Sequence, residues 1–141
     1  MNDILINKVQ SIQRCIKRAK EEYFQGEASF IDNYSRQDAA VLNITRACEQ
    51  TIDLANHVVK KKKLGIPTES SQSFDLLAKA GIIPNELKKR LIKMIGFRNT
   101  AVHEYQELNM DILIAIIKKD LEDLVSFTDA ILTFMEEDSS E

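Results

Sequence analysis

Arg98 and His103 lie five residues apart in the stretch 96–105, GFRNTAVHEY, and Tyr105 follows two residues later. Arginine is a permanent cation whose planar guanidinium suits phosphate, and histidine is the side chain that can accept and return a proton near neutral pH. The chain has only two histidines, and His103 is the more informative because it stands beside an arginine and a tyrosine. A cation and a proton carrier this close together indicate phosphodiester chemistry.

The spacing limits how these two side chains can meet. Residues five apart on an α-helix are rotated by roughly 140°, so Arg98 and His103 do not share one face of a straight helix. Either the helix ends or distorts around His103, or the pair converges in a groove formed with another helix or another subunit. Asn109 resembles the N-cap of a new helix with Asp111 in its first turn, so we expect residues 104–108 to form a connection.

Two long amphipathic helices are predicted ahead of this stretch. The first is expected over about 2–23, and its apolar stripe contains Leu5, Val9, Ile12, Ile16, Ala19 and Tyr23. Ser35, with Asp38 three residues later, resembles a capping arrangement that opens a second helix reaching about Lys63. The stripe of this second helix contains Val41, Ile44, Cys48, Ile52, Ala55 and Val59. Between the two helices, Phe30 and Tyr34 are expected to pack their rings over the bundle.

A polar row also follows the second helix, consisting of Arg46, Glu49 or Gln50, Asp53, His57 and Lys60. It has two interpretations. The row is a solvent face with spaced ion pairs, each contributing about 0.2–0.5 kcal/mol, or it lines a groove that faces the Arg98–His103 segment. In the second case Glu49 or Asp53 would orient Arg98, as neighbouring carboxylates commonly do for catalytic groups.

Three further helices are expected. The tetrapeptide Leu64-Gly65-Ile66-Pro67 should stop the second helix. A short helix capped by Ser71 should end at Gly81, and Pro84 should begin the helix that carries Arg98. The last helix is predicted over about 110–135, and its first half is apolar almost all round, which indicates a central position or dimerisation. The acidic tail 136–141 is expected to be disordered.

Composition points to a single soluble domain spanning residues 1–141, expected to be cytoplasmic. Hydrophobic residues make up 44% and charged residues 29% of the chain, and no apolar run approaches the roughly 20 residues that span a bilayer. Cys15 and Cys48 are expected to be buried free thiols, and no metal or cofactor motif is evident. The net charge of −3 disfavours a general nucleic-acid binder, so any RNA contact should be local. Five cations opposed only by Glu86 predict one cationic surface: Lys88, Lys89, Arg90, Lys93 and Arg98.

The motif Arg98-Asn99, three residues, His103, one residue, Tyr105 resembles the signature of the HEPN superfamily, and within it the HepT toxins, which pair with minimal nucleotidyltransferase antitoxins of the MntA type. The likeness extends over residues 1–135, through the long first helix, the segment Arg46-Ala47-Cys48-Glu49 and the break at 64–67. It implies an all-α, up-and-down bundle of about five helices that forms a homodimer. It also implies a metal-independent endoribonuclease that needs no cofactor.

The resemblance also implies roles for the motif residues. Arg98 would hold the scissile phosphate, His103 would act as general base or acid, and Asn99 would fix the local geometry. One histidine per subunit is too few for an acid and a base, so a symmetric dimer would supply both. Tyr105 would accept AMP from the antitoxin. From the residues alone, a tyrosine in a connection usually packs its ring and exposes its hydroxyl.

Two other functions remain open at this point. The chain could be a noncatalytic helical module that docks a nucleotidyltransferase and presents substrate to it. It could also be a helical oligomerisation domain in which Arg98 pairs with Glu49 or Asp53 and His103 is a core residue. RNA cleavage separates the first function from these two, and binding of a nucleotidyltransferase separates the two from each other.

Overall fold

The computed structural model describes the backbone of residues 3–103 and 109–139 and the side chains of residues 3–100 and 109–138. Six α-helices lie within these ranges: α1 (Asp3–Phe24), α2 (Tyr34–Lys61), α3 (Ser70–Lys79), α4 (Asn85–His103), α5 (Met110–Ala115) and α6 (Leu121–Ser139). A 3₁₀ helix (Glu27–Asp32) separates α1 from α2, and a π-helical segment (Ile116–Asp120) joins α5 to α6. The all-α prediction is confirmed for the described part of the chain.

Helices α1 and α2 form an antiparallel pair. Arg36, near the start of α2, lies 3.6 Å from the Glu22 carboxylate near the end of α1. The predicted apolar stripes of both helices are buried, because residues three and four apart share one face of a helix. Asn33 begins α2: its backbone is extended and its side chain accepts a hydrogen bond from the Arg36 N–H at 3.1 Å.

Three of the sequence-based predictions about this first half were wrong. Ser35 with Asp38 is not the cap of α2, because Asn33 is the N-cap and its side chain accepts from the Arg36 N–H. Phe30 is fully buried as predicted, but Tyr34 is 75% exposed. Helix α3 begins at Ser70 after Glu69, so Ser71 is inside the helix and does not cap it.

Left-handed residues end α2 and α3 in the same way. Helix α2 ends at Lys61, and Lys63 has φ 54° while the Leu64 N–H donates to the Val59 carbonyl at 3.0 Å. At the end of α3, Gly81 has φ 77° and the Ile82 N–H donates to the Leu77 carbonyl at 3.0 Å. Both are Schellman motifs, which usually place glycine at the left-handed position. In the first motif that position is held by Lys63, two residues before the glycine that the sequence suggested.

The last predicted helix differs from expectation in two respects. The π-helical segment interrupts it, so the described residues contain six α-helices, in agreement with the predicted bundle of about five helices. Helix α6 continues to Ser139, and the Lys62 ammonium bonds the Asp138 carboxylate. Residues 136–139 are therefore helical, and the prediction of a disordered tail from residue 136 was wrong.

The core is one continuous apolar cluster between the helices. Phe74 of α3 and Phe127 of α6 meet edge to face with ring centroids 5.5 Å apart, a favourable aromatic geometry. Cys15 and Cys48 are buried and free, as predicted. Among the described helices, none combines the length and apolarity needed to cross a bilayer.

Candidate active site

Helix α4 brings Arg98 to the edge of the core. The Lys88 N–H donates to the Pro84 carbonyl at 3.0 Å in its first turn, and its apolar side is buried at Leu87, Leu91, Met94 and Ile95. Arg98 lies three residues after Ile95, the last of these buried residues, which is less than one helical turn. Its side chain therefore emerges where α4 packs on α2, and it is 32% exposed.

The Arg98 guanidinium is held between two helices. One terminal nitrogen donates to the Asn99 side-chain oxygen at 2.8 Å, and the other donates to a Glu49 carboxylate oxygen on α2 at 3.5 Å. The Arg98 Nε is buried and has no hydrogen-bond partner among the described atoms. An arginine has five N–H donors, so the two terminal nitrogens keep donor capacity for an anionic ligand beyond their contacts with the described residues.

The structure distinguishes the two carboxylates that the sequence left as alternatives. Glu49 contacts Arg98. Asp53 lies one turn further along α2, is exposed, and makes no hydrogen bond or ion pair with any described group. Glu49 is therefore the carboxylate of the polar row that contacts Arg98, and Asp53 belongs to the solvent face.

Cys48 of α2 makes a hydrogen bond to α4 close to Arg98. Its thiol donates to the Met94 carbonyl at 3.8 Å, and only 1% of the residue is exposed. Burial raises the pKa of Cys48 to about 12, an effect that the Arg98 charge opposes and the Glu49 charge reinforces. The neutral thiol is poorly nucleophilic, so Cys48 supports the site by packing and hydrogen bonding.

One exposed side of α4 is open above Gly96. A Cβ added to Gly96 would meet nothing within 4 Å among its described neighbours. The Thr100 hydroxyl donates to the Gly96 carbonyl at 3.2 Å, one turn along. Sequence reasoning singled out neither residue, because an exposed glycine within a helix carries no chemical signature of its own.

His103 is the last residue of α4, and its side chain lies outside the described residues, as do Tyr105 and the expected connection 104–108. The pairing of Arg98 with His103 therefore stays a prediction. Asn109 does cap α5, since its side chain accepts hydrogen bonds from the Asp111 and Ile112 N–H groups at 2.8 and 3.4 Å.

His57 does not complete the site within one subunit. It lies eight residues after Glu49 on α2, which corresponds to about 12 Å along the helix axis. Burial and the nearby charges of Lys61, Lys8 and Lys60 lower the pKa of His57.

The predicted cationic surface is weaker than the sequence suggested. Lys88 lies 3.5 Å from an Asp75 oxygen, and Arg90 lies 2.9 Å from an Asp123 oxygen. These carboxylates come from α3 and α6, so they are not visible in the local sequence around α4. Lys89 and Lys93 have no ion-pair partner among the described residues, and the prediction holds for these two.

A search against protein-family models matches residues 12–131 to the Ribonuclease HepT-like family. The chain belongs to this family. It is 47% identical over 131 residues to the "mRNA nuclease HepT" of Shewanella oneidensis, covering 93% of this chain and 98% of the relative. It is 24% identical over 106 residues to the "tRNA nuclease HepT" of Aphanizomenon flos-aquae, covering 75% of this chain and 72% of that relative.

The HepT-like fold also agrees with a solved structure. The tri-AMPylated HEPN toxin of Shewanella oneidensis, in complex with MNT antitoxin, matches with a TM-score of 0.88 and 47% identity, covering 94% of this chain and 99% of that one. The HEPN-type bundle predicted from the sequence is thereby confirmed. No group of three or more histidine, cysteine or acidic residues in the described parts of this HepT-like chain is arranged to hold a metal ion.

Proposed function

We propose that this chain is the toxin of a toxin–antitoxin pair, a metal-independent endoribonuclease that cuts RNA with Arg98 and His103. The observation that carries the proposal is the Arg98 guanidinium, which is held by Glu49 and Asn99 on the helix that ends at His103. Membership of the HepT-like ribonuclease family and 47% identity to an mRNA nuclease support it.

Arg98 binds the scissile phosphate and stabilises the extra negative charge of the pentacoordinate transition state. The hydrogen bond that the guanidinium donates to the Asn99 side-chain oxygen limits its rotation, and Glu49 fixes it from the side of α2. His103 takes the proton from a ribose 2′-hydroxyl or gives one to the leaving 5′-oxygen. Attack of the 2′-oxygen on phosphorus breaks the bond to the 5′-oxygen, so the products end in a 2′,3′-cyclic phosphate and a 5′-hydroxyl.

A symmetric homodimer completes the chemistry. The reaction needs one base and one acid, and His57 lies too far along α2 to supply the second from the same subunit. Two copies of α4 facing across a cleft bring two copies of His103 and Arg98 to one phosphodiester.

Tyr105 is the site at which the toxin is neutralised. A cognate nucleotidyltransferase antitoxin transfers AMP to the Tyr105 oxygen, and pyrophosphate leaves from ATP. The added phosphates compete with RNA for Arg98, and the bulk of AMP fills the cleft two residues from His103. The related Shewanella oneidensis toxin in its tri-AMPylated form, in complex with its antitoxin, supports this step.

A binding module without catalytic activity is the second candidate. The ion pairs of Lys88 and Arg90 with the chain's own carboxylates favour it, because they reduce the charge available to RNA. The donor capacity left on Arg98 favours the ribonuclease.

The test is cleavage of mixed tRNA and mRNA by unmodified protein, purified without its partner, in EDTA. We expect cyclic-phosphate ends from the wild type and no cleavage by Arg98→Ala or His103→Ala. Tyr105→Phe should cut RNA and resist the antitoxin with ATP, whereas the wild type should gain the mass of AMP and lose activity. Cleavage by either alanine variant would reject the mechanism, and a dimeric, unmodified wild type that does not cut would favour the binding module.

A further inference from the structure

A cavity of about 550 Å³ lies between α4 and the π-helical segment, outside the site described above. Four cationic side chains line it: Arg90 and Lys93 from α4, and Lys118 and Lys119 from the π-helical segment. We call this cavity the lysine pocket. Three carboxylates share its lining, so its net charge depends on which of them are already paired.

Two of these carboxylates are occupied by ion pairs. Asp123 bonds Arg90 at 2.9 Å, and Glu122 bonds Lys20 of α1 at 2.5 Å. Asp120 is then the remaining carboxylate of the lining, which also contains three lysines.

The lysines themselves are available to a ligand. Lys93 and Lys119 are exposed and have no ion-pair partner among the described residues. The Lys118 ammonium lies 5.6 Å from the centroid of the Tyr23 ring, which holds it at the rim by a cation–π contact. The lysine pocket thus has a local excess of positive charge in a chain whose net charge is −3.

The π-helical segment carries this pair of lysines at the surface. Ile116 and Ile117 at its start and Leu121 just after it are buried, whereas Lys118 and Lys119 between them are exposed. A π-turn accommodates an extra residue in the helix and is found frequently at functional sites. The buried residues on either side fix the turn that carries the two lysines.

The position of Lys93 on α4 connects the lysine pocket to the catalytic motif. Lys93 precedes His103 by ten residues, about 15 Å along the helix axis. Helical periodicity places Lys89, Lys93, Gly96, Thr100 and position 103 on one stripe, and the first four are exposed. An RNA strand that follows this stripe of α4 from His103 would reach the lysine pocket.

We infer that the lysine pocket binds a backbone phosphate of the RNA substrate, at least one further nucleotide along the strand from the scissile bond. This inference rests on the proposed ribonuclease function and names a second contact for the same substrate. Lysine ammonium groups bind phosphate oxygens without reading sequence, so the lysine pocket adds affinity and register and leaves sequence preference to other residues.

The test compares a dinucleotide, which has a single phosphodiester, with an oligonucleotide of about ten residues that contains the same step. We expect the double variant Lys93→Gln/Lys119→Gln to lower the ratio of kcat/KM for the oligonucleotide to that for the dinucleotide by about tenfold at low salt. The matched control is Lys60→Gln/Lys61→Gln, which removes the same charge at the far end of α2. The control lysines are remote from the lysine pocket. Lys62, the next residue, bonds Asp138 of α6, and Asp138 lies about 22 Å along α6 from Asp123, which lines the pocket. An unchanged ratio, or an equal fall in the control, would overturn the inference.

Binding of a 2′-O-methylated oligonucleotide, which cannot be cut by attack of a 2′-hydroxyl, separates this inference from the proposed function. The Lys93/Lys119 variant should bind it about tenfold more weakly than the wild type and with a smaller dependence of affinity on salt. Absence of cleavage by the wild type would count against the ribonuclease alone. Equal binding by the wild type and the double variant would reject the lysine pocket whether or not RNA is cut.

Discussion

Replacing Glu49 tests whether its carboxylate positions Arg98 for catalysis. The contact between the two side chains is long, at 3.5 Å, and they are 46% and 32% exposed respectively. Solvent-exposed ion pairs contribute about 0.2–1 kcal/mol, and this length places the pair towards the lower end. Glu49→Ala should therefore leave the free energy of unfolding within about 1 kcal/mol of wild type and reduce kcat by about 1.5- to 5-fold.

Glu49→Gln separates positioning from charge. The glutamine oxygen can still accept a hydrogen bond from Arg98, but the negative charge that repels an RNA phosphate is gone. We expect the glutamine variant to keep the wild-type kcat and lower KM, whereas the alanine variant lowers kcat. A side chain that only stabilised the fold would not produce this division between kcat and KM.

Asp53→Ala is the matched control. It removes the same charge from the same helix one turn away, from a side chain that does not contact Arg98. Arg98→Ala gives the full loss, about 10²- to 10³-fold if the guanidinium stabilises charge in the transition state. Initial rates over a range of oligonucleotide concentrations, together with denaturant unfolding of each variant, provide the measurements. Equal kcat values for Glu49→Ala and Asp53→Ala would refute the positioning role.

Single substitutions at four other residues give further predictions. Lys63→Gly should raise the free energy of unfolding by about 0.5–1 kcal/mol, because φ 54° is costly for a residue with a side chain. Gly81→Ala should lower the free energy of unfolding by about 1 kcal/mol, because Gly81 has φ 77°. Denaturant titration measures both changes. Gly96→Ala should raise the thermal midpoint, since its Cβ meets no described neighbour, but lower oligonucleotide cleavage if RNA follows the α4 stripe; unchanged cleavage would contradict that path. The pKa of His57 is lowered on folding, so the unfolded state binds its proton first as the pH falls below about 6.5. Stability should therefore decline from pH 7 to lower pH, and less so in His57→Gln, when denaturant unfolding is repeated across that range.

The apolar stripes of α1 and α2 were predictable because burial of one helix face is a local, periodic property. Leu5 through Tyr23 and Val41 through Val59 are buried as the spacing indicates. The choice between Glu49 and Asp53 was not predictable, since both lie on the same polar row and only the register of α2 against α4 decides which one meets Arg98. Helix register depends on the packing of side chains distant in sequence, which a single chain does not reveal.

Charge patterns were the least reliable guide. Two cations of the basic segment of α4 form ion pairs with carboxylates from other helices: Lys88 with Asp75, and Arg90 with Asp123. The acidic tail was expected to be disordered on composition alone, yet Asp138 pairs with Lys62 at the end of α2. Local sequence records the charges of one element, whereas pairing depends on which elements the fold brings together.

The buried polar atoms that lack partners indicate where the structure departs from the requirements of stability. Among the described side chains these atoms are Asn43 Oδ1, Gln50 Oε1 and Arg98 Nε. All three lie on α2 or α4, and Gln50 is adjacent to Glu49. Each such atom costs about 1–3 kcal/mol if it stays unsatisfied, and a chain selected for stability alone would place apolar or paired groups there. Departures of this kind are expected at functional sites, and one of the three atoms belongs to the arginine that we propose binds the scissile phosphate.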